Sequence, residues 1–99
     1  MHLVQLLLPL VNSPESDKTL HQLRGQLIER FGGITAYTRS PAKGAWVDDG
    51  ERVVHDDVII VEVMTEELDA DWWRDLRTKL EEQLDQDLIV IRSTSIELL

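Results

Sequence analysis

Residues 30–64 read RFGGITAYTRSPAKGAWVDDGERVVHDDVIIVEVM. Gly32-Gly33 ends whatever helix precedes it, because a glycine takes the left-handed conformation past a helix C-terminus without steric cost. Alternation follows. Ile34, Ala36 and Thr38 face one way, and Thr35, Tyr37 and Arg39 face the other, with the period of a half-buried strand. "SPAKG" interrupts this strand and "AWV" resumes it. "DDG" at 48–50 then predicts a hairpin turn, with Gly50 supplying positive φ. In the returning strand Ile59, Val61 and Val63 oppose Val58, Ile60, Glu62 and Met64. Two antiparallel strands therefore occupy the middle of the chain, and the fold depends on what flanks them.

Upstream, the run from His2 to Leu8 is almost continuously apolar, interrupted after its first residue only by Gln5, and ends at Pro9, which suits a strand covered on both faces. "NSPESDKTL" opens a helix, with Ser13 or Ser16 as its cap and Glu15 and Asp17 at its positive end. Leu20, Leu23, Leu27, Ile28 and Phe31 draw one apolar stripe. Gly25 inside this helix costs about 1 kcal/mol against Ala, which a close approach to a neighbouring strand would explain. Downstream, "TEELDADWW" starts a second helix capped by Thr65 or Asp69. Its stripe is Trp73, Leu76, Leu80 and Leu84, with Trp72 at the edge. "LIVIRS" at 88–93 is the final strand. The order β-α-β-β-α-β predicts a ferredoxin-like α+β fold, in which a four-stranded antiparallel sheet carries two helices on one face. One domain is expected over residues 1–99.

Composition narrows the function. The chain has 99 residues, 42% of them apolar, and a net charge of -9 from 19 acids and 10 bases. Such a surface repels nucleic acid and anionic membrane, so neither is expected as a partner. The absence of cysteine excludes disulfides, Cys-based zinc sites and thiol catalysis. The apolar N-terminus lacks the basic segment and cleavage site of a signal peptide and falls short of the ~20 residues that span a bilayer. A cytoplasmic protein is expected. His55 and Asp57 project to one side of a strand, but no spacing to His2, His21 or Asp48 completes a metal site, and no metal or cofactor is expected. "FGG" follows a helix where phosphate-binding glycines precede one, and no Gly-x-Ser-x-Gly appears.

The unusual feature is the sheet face opposite the helices. With Val4, Leu6, Leu8, Ile59, Val61 and Val63 turned to the helices, the open face shows Leu3, Leu7, Val58, Ile60, Met64 and part of "LIVI". An apolar surface of this kind marks association, and a two-fold homodimer is the simplest arrangement. The alternative cover is the C-terminal tail or the 40–47 segment. On the same face lie Gln5, Tyr37, Arg39, Glu62 and Arg92. A hairpin closing at Asp49-Gly50 without a bulge sets Tyr37 nearly opposite Glu62. A carboxyl among apolar residues is a candidate general base, although an ion-paired network in an interface uses the same residue types. Trp46 is of the type that anchors interfaces.

"RFGGITAY", "GAW", "DDG" and "VIIVEV" together resemble small bacterial proteins of unknown function with a ferredoxin-like fold, over residues 28–64. That resemblance implies a bacterial origin and the fold. At fold level the chain is also similar to the dimeric α+β-barrel group, which includes cofactor-independent monooxygenases, muconolactone isomerase-like enzymes and haem-handling proteins. Those proteins use the pocket between helices and sheet or the sheet face itself, and none of their motifs recurs here. The function expected is a homodimer that binds or converts a small organic molecule. Glu62 serves as base or acceptor, Tyr37 as donor and Arg39 as anion anchor, with Gln5, Arg92 and Trp46 also touching ligand. The competing expectation is a non-catalytic interaction module that uses its acidic second helix or the 40–50 hairpin loop.

Overall fold

The computed structural model describes residues 1–10, 13–47, 50 and 53–99, without the side chains of 39–43, 46 and 53–56. Six elements follow in order: β1 (His2–Pro9), α1 (Pro14–Phe31), β2 (Thr35–Val47), β3 (Val53–Thr65), α2 (Ala70–Gln83) and β4 (Val90–Ser95). The four strands form one antiparallel sheet in the order β2-β3-β1-β4. This is the ferredoxin-like arrangement. The reading of the 48–50 turn lies largely outside the described residues.

β1 sits in the interior of the sheet. Val4 opposes Val63 on β3 and Ser93 on β4, while Leu6 opposes Val61 and Ile91. Directly opposed residues share a face. Val4, Leu6 and Leu8 therefore join Ile59, Val61 and Val63 beneath the helices, where all six are buried. Leu23 and Leu27 of α1 and Trp73, Leu76 and Leu80 of α2 close this core, together with Leu84 and Ile89.

Capping explains where the helices begin. Ser13 Oγ accepts from the Ser16 amide at 3.1 Å, with Pro14 at the first helical position. Gly32, at φ 83°, ends α1 in the left-handed conformation, and its amide bonds the Ile28 carbonyl. Asp69 rather than Thr65 caps α2, accepting from the Trp72 amide at 3.2 Å. The two helices are joined at these ends. Phe31 stacks on Trp73 with centroids 5.2 Å apart, and the Arg30 guanidinium lies 4.4 Å above Trp72 and 3.6 Å from Asp69.

Three sequence expectations need correction. Ile28 is half-exposed, because the buried stripe of α1 runs through Ser16, Thr19, Leu23 and Leu27. The last strand starts at Val90, after Ile89 has donated its amide to Glu81 Oε2 at 2.8 Å. Gly25 is exposed, and a Cβ there would meet nothing within 4 Å, so no strand comes close. With no steric reason for glycine, its helix penalty is uncompensated. Gly25→Ala is expected to stabilise the protein by up to about 1 kcal/mol, read as a rise of several degrees in the melting temperature. A fall would show that the position needs glycine.

Candidate functional site

Because β1 bonds to a strand on each side, one row of residues crosses the open face. Gln5 opposes Glu62 on β3 and Arg92 on β4, and Glu62 opposes Thr35 on β2. Side chains in such a row are near neighbours. The Gln5 amide bridges its two charged neighbours. Its Nε2 donates to Glu62 Oε1 at 2.9 Å, and its Oε1 accepts from Arg92 Nε at 2.9 Å. Rotating the amide by half a turn would set its NH2 against the guanidinium and its oxygen against the carboxylate, so one orientation is selected. Tyr37 joins from β2, its hydroxyl 3.5 Å from Glu62 Oε2. That distance is long for an O–H···O bond, and the tyrosine is 47% exposed.

A polar band thus runs across all four strands, through Arg92, Gln5, Glu62 and Tyr37. Apolar rows flank it. Leu3 faces Met64 on one side, while Leu7 stands between Ile60 and Val90 on the other. Leu3, Leu7, Val58 and Ile60 are half-buried, whereas Met64 and Val90 are exposed. The C-terminal tail does not cover this face. Ile96 bonds the Met1 carbonyl at 3.0 Å, alongside the start of β1, and Leu98 and Leu99 remain exposed. The 40–47 segment belongs to β2, paired with β3 from Ala42↔Val58 to Val47↔Val53.

Tyr37 reaches the band by a detour. It opposes Ile60, not Glu62, and the next pair along is Ala42↔Val58. Five steps along β2 are matched by two along β3, so three extra residues lie between, where "SPAKG" begins. An odd insertion reverses which face the strand presents. Continued in the outer register, Tyr37 would oppose Val63 and turn toward the helices. With the insertion it turns outward and meets Glu62 diagonally. The direct opposition expected of Tyr37 and Glu62 is replaced by this diagonal.

Of the six residues expected at the site, four come together. Arg39 falls within the irregular segment, and Trp46 pairs with Val54 on the distal arm; both side chains lie outside the described residues. Thr35 opposes Glu62 directly and was not anticipated, because only the three-residue insertion brings it there. Sequence reading also missed a cavity of about 210 Å³ on the other side of the sheet, between α2 and β4. The outward side of α2 is mixed, carrying Asp71, Asp75 and Glu82 beside Arg74 and Lys79, all exposed.

No known protein family and no curated protein matches the chain. A search of solved structures does find a counterpart. CutA1 from Pyrococcus horikoshii superposes with a TM-score of 0.60 at 15% identity, covering 100% of this chain and 86% of that one. The likeness is one of fold. It supports the ferredoxin-like α+β architecture and leaves function to the residues themselves. Among the described residues, no helix is long and apolar enough to cross a membrane.

The bridging role of Gln5 is testable by equilibrium denaturation. Gln5→Leu removes both bonds and leaves a carboxylate beside new apolar surface, an expected cost of roughly 1–3 kcal/mol. Arg92 is exposed, so Arg92→Ala should cost less than about 1 kcal/mol. Equal costs would show that the amide is not the centre of the band.

Proposed function

We propose that the chain works as a homodimer joined through its open sheet faces, with the polar band fixing the register of the two copies. The observation that carries this reading is the charge distribution. The chain has 19 acids and 10 bases, yet the described side chains of the open face include one acid, Glu62, and one base, Arg92. Acidic repulsion is thereby kept off a surface whose other residues are mainly apolar. The arrangement is also self-complementary. A two-fold axis passing close to Gln5 lays Arg92 of one copy over the partner's Glu62, and the reverse.

In plan the face is smaller than a standard interface. Four strands at about 4.8 Å spacing and eight residues at about 3.3 Å rise give roughly 500 Å² in plan, before side-chain relief is counted. A standard interface buries ~800 Å² of accessible surface on each partner. Burying Glu62 and Arg92 carries a desolvation cost, so the pairing contributes register more than affinity.

A second reading rests on one observation, the loose Tyr37–Glu62 contact at 3.5 Å. A hydroxyl or amide of a small organic molecule inserted there would take a shorter bond from each partner. Glu62 then acts as acceptor or base, Tyr37 as donor and Arg92 as anion anchor. Fragment screening by protein-observed NMR separates the two readings. Saturable shifts centred on Gln5, Tyr37 and Glu62, and lost in Glu62→Gln, support a ligand site. Unchanged affinity in that variant removes Glu62 from any mechanism.

For the dimer, light scattering should return twice the chain mass of 11.4 kDa. Met64→Lys, a substitution at an exposed position, should return a folded monomer. A wild-type monomer at working concentrations, or a Met64→Lys dimer as tight as the parent, would contradict the sheet-face arrangement.

A further inference from the structure

The opening between α2 and β4 is lined mainly by residues on the helix side of the sheet and reaches Arg92, at the β4 end of the polar band. Its floor is apolar, made by Val4, Ile91 and Trp73. Its rim is polar, made by Arg74 and Arg77 of α2 and by Ser93 of β4. The helix-facing residues of β4 explain why it opens here. Ile89, just before the strand, is buried and Ile91 half-buried, but at the next such position the strand carries Ser93, opposite Val4, where an apolar side chain would have continued the core. Ser93 is exposed, and its hydroxyl has no hydrogen-bond partner among the described residues.

The charge around this opening is unlike that of the rest of the chain. In a protein of net charge -9, no acidic residue is among the described residues that line the opening, while Arg74 and Arg77 stand one helical turn apart on its rim and Arg92 joins them from β4. Their acidic neighbours hold them only partly. Asp71 bonds Arg74 at 3.2 Å on an exposed surface. Glu81 Oε1 lies 4.0 Å from Arg77 Nε, within ion-pair range and beyond hydrogen-bond range. Arg77 Nε is buried and has no hydrogen-bond partner among the described residues, although the side chain as a whole is 41% exposed. A buried donor without an acceptor is costly, and an added acceptor would remove that cost. Guanidinium groups bind carboxylates through two parallel N–H···O bonds, and the Nε–Nη edge is one of the surfaces on which they do so.

We propose that this cavity binds a small organic carboxylate. The carboxylate is held by Arg77 and Arg74 with the Ser93 hydroxyl beside it, and the apolar body rests on Val4, Ile91 and Trp73. The opening, about 210 Å³ and partly open to solvent, has room for a single ring or a short chain. At physiological ionic strength the remote acidic residues are screened beyond about 8 Å, so the field at the opening is set by Arg74, Arg77 and Arg92 against Asp71 and Glu81.

The experiment is a titration of isotope-labelled protein with benzoate into the millimolar range, followed through the Arg77 Nε–H and Trp73 indole N–H signals. Expected are saturable shifts of both, with the Arg77 signal moving downfield as its proton gains an acceptor. Benzyl alcohol, which keeps the ring and loses the charge, should bind several-fold more weakly, as should inorganic phosphate, which lacks the apolar body. Arg77→Gln should weaken benzoate about tenfold or more, the loss of a charged hydrogen-bonding partner. Should that variant fold poorly, Arg74→Gln, at an exposed position, should still weaken binding several-fold. Asp71→Asn releases Arg74 and should tighten it. Saturable benzoate shifts that are absent, that centre on the open sheet face, or that persist undiminished in both arginine variants would overturn the proposal. Benzyl alcohol binding as tightly as benzoate would do the same.

Discussion

β1 is hydrogen-bonded along both of its edges, and its alternation sets which residues its neighbours turn toward the helices. Val4, Leu6 and Leu8 face the core, which commits Ile59, Val61 and Val63 of β3 and Ile91 of β4 to the same side. The complementary set is then committed to the open side, whatever its polarity. That set is largely apolar, since Leu3, Leu7, Ile60 and Val90 are held outward by the same register that buries Leu6 completely. A one-residue slip would exchange the two sets. After His2 at its start, Gln5 is the one polar residue on this central strand, and the polar band is organised around it.

The two faces therefore solve different problems. On the helix side, apolar area is removed from water within the chain, and the Phe31, Trp72 and Trp73 cluster fastens the end of α1 to the start of α2. On the open side, apolar rows remain partly in contact with water, at a penalty that association would relieve at about 25 cal/mol per Å² buried. Within the chain, Gln5 links Glu62 to Arg92, so both charges have partners before any second copy arrives. In the proposed dimer, moving such a linked set from water costs less than moving isolated charges, and mismatched registers would leave it unpaired.

Much of this was legible from sequence because it rests on periodicity and on local chemistry. Ser13 before Pro14, Gly32 after Phe31, the α2 stripe and the apolar run of residues 2–8 each carry their own signal. The grouping of Gln5, Glu62 and Arg92 followed from strand parity alone. What was not legible depends on counts that no local pattern reveals. The three extra residues between Tyr37 and Ala42 changed the partner of Tyr37 to Ile60 and brought Thr35 against Glu62. Arg74 and Arg77 carry no local signal, because only tertiary placement brings them with Ser93 around one opening. Gly25 suggested a close approach that does not exist.

The central claim is that a second copy covers the open sheet face. The most direct measurement is an isotope-filtered NOE experiment on a mixture of labelled and unlabelled protein, which detects only contacts between copies. The account predicts intermolecular NOEs among the side chains of Leu3, Leu7, Ile60 and Met64, with Arg92 close to the partner's Glu62. Intermolecular NOEs confined to the helices or to the outer edges of β2 and β4, with none from these side chains, would contradict it.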